Sequence, residues 1–188
     1  MLTEPLTFFR KTRPANDDYV SSAVGELAAV RYAQARFPQA ERLYREALDL
    51  ATARHGPNDE RVADRLVELG GFYAYTGRPK EGLPLLQRAE VILERTLGLK
   101  NPRVIGALVT VSDAQAYLPA YMAADATLRR ALPAARSVFP AAHPLFANVL
   151  SPLRPVPTQP APTTAAAGFS PPAPLFPLSL LRPAHPAP

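Results

Sequence analysis

Cysteine is absent from this chain of 188 residues. That removes disulfides, thiolate metal ligands and cysteine nucleophiles together, and it fits a reducing, cytoplasmic setting. Tryptophan is absent too, and histidine occurs only three times. His55, His143 and His185 fall in linkers or near the C-terminus, with no His pair at helical spacing and no His-Glu-x-x-His, so no metal site and no catalytic residue is expected. Glycine is sparse at nine residues, and no Gly-x-x-x-x-Gly-Lys-Ser/Thr phosphate loop is among them. No apolar run approaches the ~20 residues of a membrane span, and the first twenty lack the apolar centre of a signal peptide. Neither a cofactor nor a membrane is therefore implied.

Charge is likewise modest in what it says. The formal net charge is +5, but Arg42, Arg45 and Arg54 alternate with Glu41, Glu46 and Asp49. A mixed-sign face of this kind keeps a helix solvated, whereas nucleic-acid domains gather Lys and Arg on one stripe. No nucleic-acid partner is expected.

What the chain does contain is a repeat. Shifting it by 42 positions lays Tyr32, Arg36, Ala40, Leu43, Ala47, Gly56, Asn58 and Val62 over Ala74, Arg78, Gly82, Leu85, Ala89, Gly98, Lys100 and Val104. A second shift reaches Ala116, Ala120, Ala124, Thr127, Ala131, Pro140, Ala142 and Phe146. Units of this length bury their apolar faces only against neighbours, which gives a solenoid. Within each unit the period is helical: Ala40, Leu43, Tyr44, Ala47, Leu48 and Ala51 form one stripe, as do Gly82, Leu85, Leu86, Ala89, Ile92 and Leu93. A partner helix precedes each, with Val24, Leu27, Ala28 and Arg31, then Leu66, Leu69, Gly70 and Tyr73, then Leu108, Val111, Ser112 and Gln115 at its buried positions. Gly56 and Gly98 are expected to stop the second helices in the left-handed conformation. Asp59 and Asn101 stand where an N-cap starts the next helix.

The third unit departs from the pattern. Pro133 interrupts the stripe Ala124, Leu128, Ala131, Leu132, Ala135, where a helix-interior proline costs ~3 kcal/mol, so this helix is expected to kink or fray. From Ser151 onward the segment holds 12 of the 23 prolines and reads as a disordered Pro/Ala-rich tail.

The fold expected is all-α: a right-handed α-solenoid of about three helix-turn-helix hairpins and that tail. Residues 1–19 take the place of part of a preceding repeat. Residues 20–150 form the repeat domain, with units 20–61, 62–103 and 104–145 and a truncated helix at 146–150, and residues 151–188 are the tail. Neither end carries a polar capping repeat, which leaves an end open to self-association.

Leu69-Gly70, Tyr73, Gly82, Leu86 and Ala89 have the spacing of a tetratricopeptide repeat, and the chain from about Pro14 to Phe146 resembles that family. The 42-residue length resembles the kinesin-light-chain type, whose Gly-Pro-x-His-Pro-x-Val linker is matched by Gly56, Pro57 and Val62, by Gly98, Pro102 and Val104, and by His143-Pro144. Pro84 matches that type's helix-opening proline. The resemblance implies a non-catalytic module that binds a protein or peptide in a concave groove. It also implies what is missing: Gly25-Glu26 and Val67-Glu68 stand where relatives carry paired asparagines or a carboxylate-clamping Lys and Asn. The alternative function is a regulatory remnant of a multidomain signalling protein.

First-helix residues between the buried positions should line the groove. The candidates are Glu26, Tyr32, Glu68, Tyr75, Asp113 and Tyr117. Tyrosine joins a rigid apolar body to a hydrogen-bonding tip, which suits peptide capture, although each ring also suits packing against the next helix. Glu26, Glu68 and Asp113 give the groove an acidic stripe suited to a basic peptide, or a merely solvated one. In the tail, Arg154, Pro157 and Pro160 have the Arg-x-x-Pro-x-x-Pro spacing that SH3-type grooves read. The apolar run Leu175, Phe176, Leu178, Leu180 and Leu181 is a candidate cover for an open solenoid end.

Overall fold

A computed structural model describes residues 18–118 and 120–140. Among these it forms six α-helices: α1 Asp18–Ala33, α2 Phe37–His55, α3 Glu60–Tyr75, α4 Pro79–Leu97, α5 Pro102–Tyr117 and α6 Tyr121–Val138. The tail, the 1–17 segment and the 146–150 helix lie outside the described residues.

Linker chemistry sets the helix ends. Gly56 and Gly98 adopt φ of 80° and 74°, and their N–H groups close the last turns onto the carbonyls of Thr52 and Glu94. One turn later the Asp59 and Asn101 carboxyl and amide oxygens accept from the N–H groups of Arg61 and Arg103, at 2.8 and 2.9 Å, and start α3 and α5. The first helices end with similar bonds: the N–H of Arg36, Arg78 and Ala120 reaches back to the carbonyl of Arg31, Tyr73 and Gln115. In the first two units this 6→1 bond is the Schellman closure, which needs a left-handed residue just before the donor. Gly77 supplies it in the second unit with φ of 85°, and Ala35 takes the same conformation in the first with φ of 56°.

Helices pair in sequence, α1 with α2, α3 with α4 and α5 with α6, and each second helix then packs on the next first helix. The crossing inside each hairpin falls on small residues at equivalent positions: Ala28 with Ala40, Gly70 with Gly82, and Ser112 with Ala124. At the middle crossing the approach is tightest. A Cβ on Gly82 would lie 2.3 Å from the Gly70 carbonyl oxygen, and one on Gly70 would lie 2.7 Å from Leu86 Cγ. In the third hairpin the Ser112 hydroxyl donates across the crossing to the Ala124 carbonyl at 3.2 Å.

Two apolar cores result, and they meet at Leu48 and Leu85. Between the first and second hairpins the core is aromatic: Phe72 sits 5.5 to 5.9 Å from the rings of Tyr32, Tyr44 and Tyr73. Between the second and third it is aliphatic, built on Leu66, Leu86, Leu93, Val104, Ile105 and Leu108. First helices also touch one another, α1 to α3 and α3 to α5, more closely than the second helices do. The side on which neighbours approach is the inside of the curve, so α1, α3 and α5 form the inner wall.

Of the kink or fray expected at Pro133, fraying does not occur: helix α6 runs unbroken through it. The ring points to solvent, while Ala131, Ala134 and Ala135 carry the buried face, so proline removes a hydrogen bond without entering the core. Pro84 likewise is exposed and lies inside α4; the proline that opens that helix is Pro79.

Candidate binding face on the inner wall

Tyr75 and Tyr117 end α3 and α5 at equivalent positions, and a first-helix pitch apart their rings meet edge to face, 6.3 Å between centroids. The Tyr75 hydroxyl donates to Asp113 Oδ2 at 3.0 Å, so the second repeat fixes a carboxylate of the third. Beside them Gly71 forms a flat stretch of wall, where an added Cβ would make only ordinary contacts, 3.5 Å to Thr110 Cγ2 and 3.6 Å to Tyr75 Cε2. Three of the six candidates, Tyr75, Asp113 and Tyr117, are thus brought into one half-buried group.

The other three are placed differently. Tyr32 is 4% exposed, its ring wedged between Phe37 and Phe72, each 5.9 Å away. Its body belongs to the core between hairpins, as the packing alternative held. Its hydroxyl is buried with no hydrogen-bond partner among the described residues. Desolvation, and behind it the Tyr117 phenol, push the Tyr32 hydroxyl up to about 12. Glu68 is not an open groove acid: Arg65, three residues earlier, holds its Oε2 at 3.0 Å, and its side chain is only 8% exposed. Gly25 of α1 makes room for that pair, since a Cβ there would come within 2.3 Å of Arg65 Nη1 and 2.8 Å of Glu68 Oε2. Glu26 is exposed on the inner wall.

Spacing alone missed a second polar group, which joins the first two hairpins on their outer side. Arg78 Nη1 donates to Glu41 Oε2 at 2.7 Å and its other nitrogens grip Glu81 in a fork, both at 2.7 Å. The Tyr73 hydroxyl donates to Glu41 Oε1 and accepts from Arg45 Nε, each at 3.0 Å, and the Arg78 guanidinium lies 4.4 Å over its ring. Desolvation pushes the Glu41 carboxyl up, but hydrogen bonds from Arg78, Tyr73 and Arg45 outweigh it and hold the group below its usual value. Between the second and third hairpins Arg103 takes a comparable part, reaching Asp64 Oδ2 at 2.5 Å and Oδ1 at 3.2 Å.

Residues 21–60, the first hairpin and its linker, match the model of the tetratricopeptide repeat family. Over that stretch the chain has the sequence pattern of a tetratricopeptide repeat. No curated protein matches it. Among solved structures the array is similar to BtubC (BKLC) from P. vanneervenii, with a TM-score of 0.68 at 17% identity over 78% of this chain, which spans 60% of BtubC. It is similar also to a kinesin-light-chain candidate with nearly identical TPR-like repeats from Podosopora anserina, with a TM-score of 0.66 at 17% identity, over 79% of this chain and 70% of that one. A single-substitution form of that fungal protein gives 0.67. These likenesses establish the fold, an α-solenoid of helix hairpins. Read as tetratricopeptide hairpins, α1, α3 and α5 are the first helices of three repeats, and the tyrosine group occupies the C-terminal ends of their inner faces. Among the described residues no helix is long and apolar enough to cross a membrane.

Proposed function

We propose that the chain is a non-catalytic interaction module, and that it binds a peptide or partner protein along the inner wall formed by α1, α3 and α5. The tetratricopeptide fold is a protein-interaction scaffold, and the units read from the sequence, 20–61, 62–103 and 104–145, each contribute one hairpin to it. The observation that carries the reading is the Tyr75, Asp113 and Tyr117 group, which is half-exposed and held across two repeats. Tyrosines so fixed lose little rotamer entropy on binding, and rigid aromatic anchors supply much of an interface's affinity. Glu26 flanks this group on the exposed face, with Tyr32 and the Arg65-paired Glu68 packed behind it. The partner is protein rather than nucleic acid or membrane, and a cytoplasmic setting suits a chain without cysteines.

Cross-linking of the full chain in lysate of its source cells, followed by purification of the partner, tests this. Tyr75→Ala and Tyr117→Ala are each expected to weaken the purified complex about tenfold or more, as loss of an anchor does. Substitution of the exposed Val91 on the outer side should leave it unchanged. The reverse pattern places the partner elsewhere.

A further inference from the structure

Helix α5 is the last first helix among the described residues, and it is more buried than its described neighbours account for. It packs on α3, α4 and α6, yet all nine residues from Val104 to Ser112 are buried. At 3.6 residues per turn such a run passes every side of a helix. Helix α3 has a hairpin on either side and still leaves Asp64, Arg65 and Glu68 only half-buried. Helix α1 shows what an end without a neighbour looks like: Val30 and Tyr19 are 39% and 59% exposed, and Val30 stands at the register where Phe72 meets the preceding hairpin. The excess burial of α5 lies on its outward face. On α3 the same face, made by Ala63, Asp64, Val67 and Gly71 at helical spacing, is covered by α5: Arg103 reaches Asp64, and a Cβ on Gly71 would meet Thr110. One repeat later stand Ile105, Gly106, Val109 and Asp113. Ile105 and Val109 are 0% and 2% exposed and Gly106 is buried, although no described helix lies beyond them.

We propose that residues 144–150 begin a fourth first helix and seal the outward face of α5, so that the array closes on its own chain there and its exposed end is α1. The path to that position is already set. Phe139 packs on the same core as Leu97 does one repeat earlier, and Pro144 then falls at the register of Pro102, which opens α5. The side chains match the face as well. Leu145 takes the register of Arg103, and Val149, one turn on, that of the buried Ala107. Both halves of the polar contact change together: the Asp64–Arg103 ion pair of the preceding interface is replaced by Gly106 and Leu145. Either charge alone would be buried without its counter-ion, and the paired exchange leaves an apolar seal instead. The apolar run at 175–181 is the weaker occupant, because reaching α5 from there closes a much longer loop. A sealed face is no docking site, so neither a partner nor a second copy stacks on α5.

With no native cysteine, a single introduced thiol reports the seal in the full chain. Val109→Cys is expected to react with an aromatic disulfide reagent about a hundredfold more slowly than Val30→Cys, since local opening must precede its reaction. Adding Val149→Asp should raise that rate about tenfold or more, and it should leave Val67→Cys, at the same register between two described hairpins, as slow as before. Phe176→Asp together with Leu180→Asp should change neither rate. Three results overturn the proposal: a Val109→Cys thiol as fast as Val30→Cys, one that Val149→Asp leaves untouched, and one that the tail pair or simple dilution exposes, which makes the tail or a second copy the cover. If Val149→Asp exposes Val67→Cys too, the array has unfolded, and the unsubstituted chain decides. Methyl–methyl NOEs from Val149 to Ile105 or Val109 are expected there, and their absence overturns the proposal equally.

Discussion

One methyl group added at Gly82 and one added at Gly71 should have opposite effects. At Gly82 the Cβ would sit 2.3 Å from a backbone oxygen of α3, so the hairpin must open, and Gly82→Ala is expected to cost about 1–3 kcal/mol in urea unfolding. At Gly71 only ordinary contacts await it, and Gly71→Ala should gain about 0.5–1 kcal/mol by restricting the unfolded chain and favouring the helix. Ala35 is the mirror case. It holds a left-handed conformation that Gly77 holds without strain one repeat later, so Ala35→Gly should stabilise by about 1 kcal/mol. The small residues at the hairpin crossings were legible in the sequence because they recur in step at Ala40, Gly82 and Ala124. Gly25 was not, since it serves an ion pair that exists only in the first interface. Of the groove candidates, Tyr75, Asp113 and Tyr117 come together as their register implies. Tyr32 stands one place off that register, and that offset turns its ring into the core.

Helices in this chain are stopped and started by residues that can be read in advance. Gly56, Asp59, Gly98 and Asn101 act as their chemistry dictates, and removing one cap is expected to show: Asp59→Ala should lower stability by ~1 kcal/mol in the same unfolding experiment. Pro133 shows where such reading stops. A proline marks a missing hydrogen bond, but whether a helix tolerates it depends on which face the ring takes, and that is set by packing. Because the ring is exposed and α6 stays continuous, Pro133→Ala should stabilise the chain by about 1–3 kcal/mol without altering its helix content by circular dichroism.

At the scale of the whole array, stability depends on interfaces between hairpins, and the two described ones differ in kind. The first is aromatic and clamped by Glu41, Tyr73 and Arg78; the second is aliphatic and clamped by Arg103 and Asp64. Periodicity says that the hairpins touch but is silent on these clamps, whose members lie more than thirty residues apart and meet only through the superhelical offset. The first clamp gives a pH dependence. Glu41 is held below its usual value of 4.5, so its stabilising contribution is complete above about that pH and is lost as pH falls through the lower, folded value. Glu41→Gln should therefore flatten the acid limb of the stability profile and leave the slope above pH 6 unchanged.

That the first helices line the inside of a curved array is the claim on which the binding face depends. With no native cysteine to remove, spin labels can be placed cleanly in pairs at Ala33 and Ala116 on the first helices, and at Arg42 and Ala126 on the second. Electron–electron distance measurement should give a distinctly shorter separation for the first pair than for the second. Equal separations, or a shorter one on the second helices, would contradict it.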